Sequence, residues 1–63
     1  MYTQNLLTKD APVILIVDDL EAHLELMEAI LTREGYEVRA TLHPEEALRI
    51  IREISPDLAI LDV

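Results

Sequence analysis

The chain has 63 residues, enough for one small domain, and its 5 Lys and Arg against 13 Asp and Glu give a formal net charge of −8. That balance argues against nucleic-acid binding, which depends on Lys and Arg, and the lack of cysteine excludes disulfides and thiolate metal sites. The longest apolar run, at residues 11–17, is too short to span a bilayer and follows no basic segment, so we expect a cytoplasmic protein that does not bind membranes.

The first half of the chain predicts a leader, a strand and a helix. Residues 1–11 show no hydrophobic period and are expected to form a flexible N-terminal leader ahead of one domain at residues 12–63. A continuous aliphatic run predicts a strand at residues 13–18 that is buried on both faces, as in a parallel sheet. Apolar residues at helical spacing then predict a helix at residues 20–34, and Gly35 follows at the usual closing position.

The second half repeats this pattern. Weak alternation predicts a strand at residues 36–41, a proline and two glutamates open a helix at residues 44–54, and a second apolar run predicts a strand at residues 57–62. Strands that alternate with helices indicate an α/β domain with a parallel sheet. The residues expected to face the core are Leu20, Leu24, Met27, Ile30 and Leu31 in the first helix, and Ala47, Leu48, Ile51 and Ile54 in the second.

The two most apolar strands both end in aspartate. Asp18 and Asp19 follow the first strand and Asp62 follows the third, so in a sheet of order 2-1-3 their carboxylates would converge at one edge. Closely spaced carboxylates either raise a pKa or recruit a cation, and hard oxygen ligands suit Mg²⁺. Because a carboxylate beside Mg²⁺ is a competent nucleophile toward phosphorus, the pattern favours metal-assisted phosphoryl transfer.

Each of these residues also has a purely structural interpretation. Asp18 with Glu21 fits a capping box, so either aspartate of the doublet could simply cap the first helix. Asp62 alone would be an ordinary loop acid, and His23 is expected to be a partly exposed surface residue rather than a ligand. The doublet and the single aspartate together, on strands expected to be neighbours, favour a shared site.

Four segments of the chain resemble the receiver domain of two-component response regulators, and they are residues 14–19, 35–38, 45–48 and 56–63. The resemblance implies a flavodoxin-like fold, here with a three-stranded parallel sheet of order 2-1-3 and one helix on each face. It also implies that Asp62 accepts a phosphoryl group from a sensor histidine kinase or a phosphotransfer protein. It further implies that Asp19 binds Mg²⁺ directly, that Asp18 does so mainly through water, and that Asp62 contributes an oxygen. Such a domain is not an enzyme, since it modifies only itself.

The sequence departs from the family pattern in its length. Receivers have five strands, whereas this chain accounts for three and lacks the carbonyl two residues past Asp62, the hydroxyl residue after strand four and the lysine after strand five. We therefore expect an incomplete, truncated receiver fold that binds Mg²⁺ in the millimolar range. The unpaired third strand predicts a homodimer or swapped assembly through residues 58–61, or else a molten species. The alternative function is a packing or dimerisation module without phosphoryl chemistry.

Overall fold

The computed structural model describes residues 11–62, so the predicted leader lies outside the described residues except for Ala11. The elements are β1 (Val13–Asp18), α1 (Glu21–Arg33), β2 (Glu37–Thr41), α2 (Pro44–Ile54) and β3 (Leu58–Asp62). The predicted α/β order is confirmed. Where a predicted element was one residue longer at an end, the extra residue belongs to a cap or a turn, as with Leu20 and Glu34 on either side of α1.

The three strands form one parallel sheet of order β2-β1-β3, which confirms the order 2-1-3. The aliphatic run of β1 lies at its centre and is almost completely buried. Because alternate side chains of a strand point to opposite faces, Ile14 and Ile16 pack with α1 while Leu15 and Val17 pack with α2. One helix therefore covers each face, as the sequence predicts.

Gly35 ends α1 and turns the chain back toward the sheet. Its φ of 96° lies in the left-handed region, where a Cβ atom is costly. The Gly35 N–H donates to the carbonyl of Thr32 at 3.0 Å, and the Tyr36 N–H donates to the carbonyl of Leu31 at 3.1 Å. This is the hydrogen-bond pattern of a Schellman motif, and it satisfies the last carbonyls of the helix.

The prediction of which residues in the two helices face the core is wrong in part. Four residues that were expected in the core are exposed, and they are Leu20, Ile30, Leu48 and Ile51. Leu20 lies in the turn before α1, and both helices lie over β1 and β2, so no element among residues 11–62 covers the flanks of the apolar stripes. Ile50, which was not predicted, is buried with Ala47 against Leu15 and Val17.

The third strand is an exposed edge of the sheet. Leu58 and Leu61 are 54% and 65% exposed, and within residues 11–62 only β1 pairs with this strand. Beside it lies an open apolar groove of about 520 Å³ lined by Val17, Pro44, Glu45, Ala47, Leu48, Ile51 and Leu61. In the described part of the chain, neither helix has the length and apolarity that a membrane crossing requires.

Candidate functional site

The register between β1 and β3 brings the two strand-end aspartates side by side. At the amino end of the pair, the Val13 N–H donates to Oδ2 of Asp57 at 2.8 Å, and the Asp57 N–H donates to the Val13 carbonyl at 2.8 Å. From there the strands run in parallel until Asp18 lies opposite Asp62. The reciprocal bonds at one end thus help to set which residues meet at the other end.

Three side chains gather at this carboxyl edge. Asp18, His23 and Asp62 each offer one ligand atom, and these atoms all lie within 4.8 Å of one another. Asp18 is 2% exposed, whereas the side chains of His23 and Asp62 are open to solvent. The site therefore has a buried carboxylate at its base and accessible groups around it.

Asp18 is held by hydrogen bonds to both of its carboxylate oxygens. The Leu20 N–H donates to Oδ1 at 3.0 Å, and Nδ1 of His23 lies 3.1 Å from Oδ2. The backbone bond from Leu20 is the main cause that lowers the pKa of Asp18 below its ordinary 3.8; burial opposes it and the His23 contact adds to it. Asp18 is consequently an oriented anion at neutral pH.

The helix-capping interpretation of the doublet is wrong. The N-cap residue of α1 is Leu20, and no side chain makes a cap hydrogen bond there. Asp18 accepts a bond from the turn ahead of the helix, two residues along the chain, so it is not the partner of Glu21 in a capping box. The buried carboxylate of Asp18 therefore lies at the edge of the sheet beside Asp62 and does not cap α1.

Asp19 occupies a different position from its neighbour. It is exposed, and among the described residues it lies outside the group of ligand atoms within 4.8 Å. Successive residues at a strand end point in opposite directions, which explains why one member of the doublet is buried and the other is not. The role of Asp19 as a direct Mg²⁺ ligand stays a prediction.

His23 is the residue of this site that sequence reasoning placed only on the surface. Its side chain is indeed 51% exposed, but Nδ1 also reaches the buried carboxylate of Asp18. The signal available in the sequence was its position in the first turn of a helix that follows a short connection from β1. Side chains in that turn stand near the carboxyl edge of the sheet, where ligands of open α/β sheets bind.

The donor set fits a hard divalent cation. Asp18 and Asp62 supply carboxylate oxygens, which are the ligands that Mg²⁺ takes in proteins. Two carboxylates this close repel each other, and a cation between them offsets that repulsion. Asp62 and Asp18 are therefore the residues that would hold Mg²⁺, with a further carboxylate available at Asp19.

Comparison with known proteins agrees with this arrangement of residues. The family model for the response regulator receiver domain matches residues 14–63. The chain belongs to the response regulator receiver family. The resemblance noted in the sequence is thereby confirmed for most of the chain.

Three of the curated relatives are bacterial proteins. The response regulator PleD of Caulobacter vibrioides is 46% identical over 50 residues, which cover 79% of this chain and 11% of PleD. The alkaline phosphatase synthesis transcriptional regulatory protein PhoP of Bacillus subtilis is 44% identical over 79% of this chain and 21% of its own length. The polar-differentiation response regulator DivK of Brucella ovis is 36% identical over 79% of this chain and 41% of its own length. The receiver chain thus spans less than half of each relative, and no solved structure matches it significantly.

Proposed function

We propose that this receiver chain is a phosphoacceptor of a two-component phosphorelay, in which Asp62 takes a phosphoryl group with the help of Mg²⁺. The observation that carries the proposal is the register pairing of Asp18 with Asp62, which puts the exposed carboxylate of Asp62 beside the buried carboxylate of Asp18. Membership of the receiver family supports the same assignment. The donor would be the phosphohistidine of a sensor histidine kinase or of a phosphotransfer protein.

The main contribution of the chain to this phosphoryl transfer is the placement of its carboxylates. An oxygen of Asp62 attacks phosphorus, the new P–O bond forms as the P–N bond of the phosphohistidine breaks, and the electron pair stays on the imidazole nitrogen. Asp18 holds its negative charge beside the attacking group, and Asp19 extends the donor set. When bound, Mg²⁺ would neutralise charge on the phosphoryl oxygens. The phosphoryl group ends on the chain itself, so the domain is not an enzyme with turnover.

A labelling experiment tests this function. The chain is incubated with acetyl phosphate and Mg²⁺, and the position of the added phosphoryl group is mapped by mass spectrometry. We expect the label on Asp62, its loss when Mg²⁺ is chelated, and its loss in Asp62→Asn. The matched control is Asp57→Asn, which changes an aspartate at the opposite end of the β1–β3 pair and should keep the label. Labelling that survives in Asp62→Asn would contradict the proposal.

A second candidate function rests on the exposed edge of the sheet. Within the described residues the outer edge of β3 is unpaired, and Leu58 and Leu61 are exposed on it. An unpaired edge strand is a template for another strand, and a second copy of the same edge is complementary to it in an antiparallel pair. The chain would then act as a dimerisation module through β3. In that case Asp62→Asn leaves the behaviour of the chain unchanged, which separates this candidate from phosphoryl acceptance.

The charge and the proposed function of the chain also bear on its partners and its location. The net charge of −8 supports a partner that is not nucleic acid, because an acidic surface repels phosphates. A cytoplasmic location, away from membranes, is the setting in which the proposed kinase partner would reach Asp62.

A further inference from the structure

His23 adds a nitrogen ligand to the carboxylate pair. Its Nδ1 lies 3.1 Å from Oδ2 of Asp18, and one ligand atom each from His23, Asp18 and Asp62 lies within 4.8 Å of the other two. The side chain stands in the first turn of α1 and is 51% exposed, so an ion can reach it from solvent. Phosphoryl acceptance by Asp62, as described above, requires no imidazole at this position.

The spacing of these atoms suits ligation of one ion. Two ligands at right angles, each about 2.1 Å from a metal ion, lie about 3.0 Å apart, and two opposite ligands lie about 4.2 Å apart. The observed 3.1 Å between Nδ1 of His23 and Oδ2 of Asp18 matches the first value. Without metal this contact is a hydrogen bond, so the ion takes the place of the proton on Nδ1 and the neutral imidazole carries its proton on Nε2. The limit of 4.8 Å for the whole group leaves only a small adjustment before all three atoms reach one centre.

A nitrogen ligand changes which ions the site prefers. Mg²⁺ takes oxygen ligands and gives up its water reluctantly, whereas Co²⁺, Ni²⁺ and Zn²⁺ accept imidazole together with carboxylates. We propose that this site binds a divalent first-row transition metal ion, with Nδ1 of His23 as a direct ligand beside Asp18 and Asp62. The inference rests on the proposed function, because both use the same two carboxylates, and it adds a third ligand and the class of ion.

A positioning role for His23 predicts something different from ligation. If the imidazole only orients the carboxylate of Asp18, its loss weakens the binding of every divalent cation to a similar extent. If Nδ1 is a ligand, its loss weakens the ions that accept nitrogen and leaves Mg²⁺ almost unaffected. The loss of His23 therefore changes the ratio of the affinity for a nitrogen-accepting ion to the affinity for Mg²⁺ if His23 is a ligand, and leaves that ratio unchanged if His23 is a positioning residue.

The test is a pair of calorimetric titrations, one with Co²⁺ alone and one with Mg²⁺ alone, on the wild-type chain, His23→Asn and His43→Asn. His43 is the other of the two histidines in the chain and lies exposed ahead of α2. The His43→Asn variant therefore controls for nonspecific binding of metal ions to an exposed imidazole. We expect His23→Asn to lower the Co²⁺ affinity at least about tenfold while the Mg²⁺ affinity stays within about twofold. His43→Asn should change neither affinity, and circular dichroism checks that each variant folds.

A second readout does not depend on affinity. In ¹⁵N-labelled chain titrated with Zn²⁺, the Nδ1 resonance of His23 should shift strongly while that of His43 does not. Equal losses of Co²⁺ and Mg²⁺ affinity in His23→Asn, or an unshifted Nδ1, would overturn the inference. So would a loss of Co²⁺ affinity in His43→Asn as large as in His23→Asn.

The proposed function can fail separately from this inference. Asp62→Asn is titrated with Mg²⁺ and treated with acetyl phosphate in parallel. An unchanged Mg²⁺ affinity together with unchanged labelling would overturn the proposed function. Loss of labelling in Asp62→Asn, combined with a Co²⁺ affinity that does not depend on His23, would overturn only the inference about the nitrogen ligand.

Discussion

Asp18 and Asp62 are register partners across β1 and β3, four residues along each strand from the pair Ile14 and Leu58. Their ligand atoms, together with that of His23, lie within 4.8 Å of one another. The proximity follows from parallel pairing, since strands that start together end together at the same edge of the sheet. The stability of this pairing and the properties of the site are therefore linked.

The first prediction concerns the bonds that set this register. Asp57→Ala removes the oxygen that accepts the Val13 N–H and should lower the free energy of unfolding by about 1 kcal/mol. It should also weaken Mg²⁺ binding, because β3 is then held less firmly beside β1. Asp57→Asn keeps an acceptor oxygen and serves as the control. Urea titration measures the stability, and equal behaviour of the two variants would contradict the role given to this bond.

The second prediction is a pH dependence that comes from Glu46. The Thr41 hydroxyl donates to Oε1 of Glu46 at 2.6 Å, and this bond, followed by that from Arg49, lowers the pKa of Glu46 from its ordinary 4.5. The folded pKa lies below the unfolded one, so the stabilisation is present above pH 4.5 and is lost as the pH falls through the folded value.

Replacing Glu46 should remove that part of the pH dependence. Urea titrations at a series of pH values below neutrality should show a shallower loss of stability in Glu46→Gln than in the wild-type chain. The control is Glu45→Gln, which makes the same change one residue earlier and should keep the wild-type slope. A slope in Glu46→Gln that equals the wild-type slope would show that the bond to Thr41 contributes nothing to acid sensitivity.

The third prediction concerns backbone strain after α2. Ser55 has φ 54° and ψ 64°, a left-handed conformation that is costly for a residue with a Cβ atom. Ser55→Gly should raise the free energy of unfolding by about 0.5 to 1 kcal/mol, since the relief of strain exceeds the added entropy of the unfolded chain. Ser55→Ala keeps the Cβ atom and should bring no gain. A loss of stability in Ser55→Gly, measured by urea titration, would contradict this reasoning.

The fourth prediction concerns self-association through β3. Leu61 is exposed on this edge strand, so Leu61→Lys should reduce the dimer fraction, because lysine on an edge opposes strand pairing. Leu26→Lys places the same charge on α1, at a residue that is 60% exposed, and should leave the dimer fraction unchanged. Sedimentation equilibrium over a range of concentrations measures both. A wild-type chain that stays monomeric throughout would exclude association by this edge.

Much of the fold could be predicted from the sequence because β1 has an unusual pattern. A run that is apolar at every position, such as Ile14 to Val17, requires cover on both faces, and this requirement indicates a central strand with a helix on each side. The exposure of Leu48 and Ile51 could not be predicted in the same way. Helical spacing shows which residues share a face, but it does not show how far the neighbouring sheet extends beneath that face.

The site could be predicted only in part, for a related reason. The pairing of Asp18 with Asp62 depends on strand order and register, which follow from the apolar runs and the family resemblance. The contact between His23 and Asp18 depends instead on the path of the turn through Leu20, whose N–H binds the same carboxylate. A turn of this length has many conformations, and the residue types in it do not select one of them.

The claim that Asp18 and Asp62 share one divalent cation is tested most directly by urea unfolding of the wild-type chain and Asp62→Asn, each with chelator and with saturating Mg²⁺. Without Mg²⁺ we expect Asp62→Asn to unfold at the higher urea concentration, because it removes a negative charge beside Asp18. With Mg²⁺ the order should reverse, since binding to the folded state stabilises the chain that keeps both ligands. An equal effect of Mg²⁺ on the two unfolding midpoints would contradict the claim.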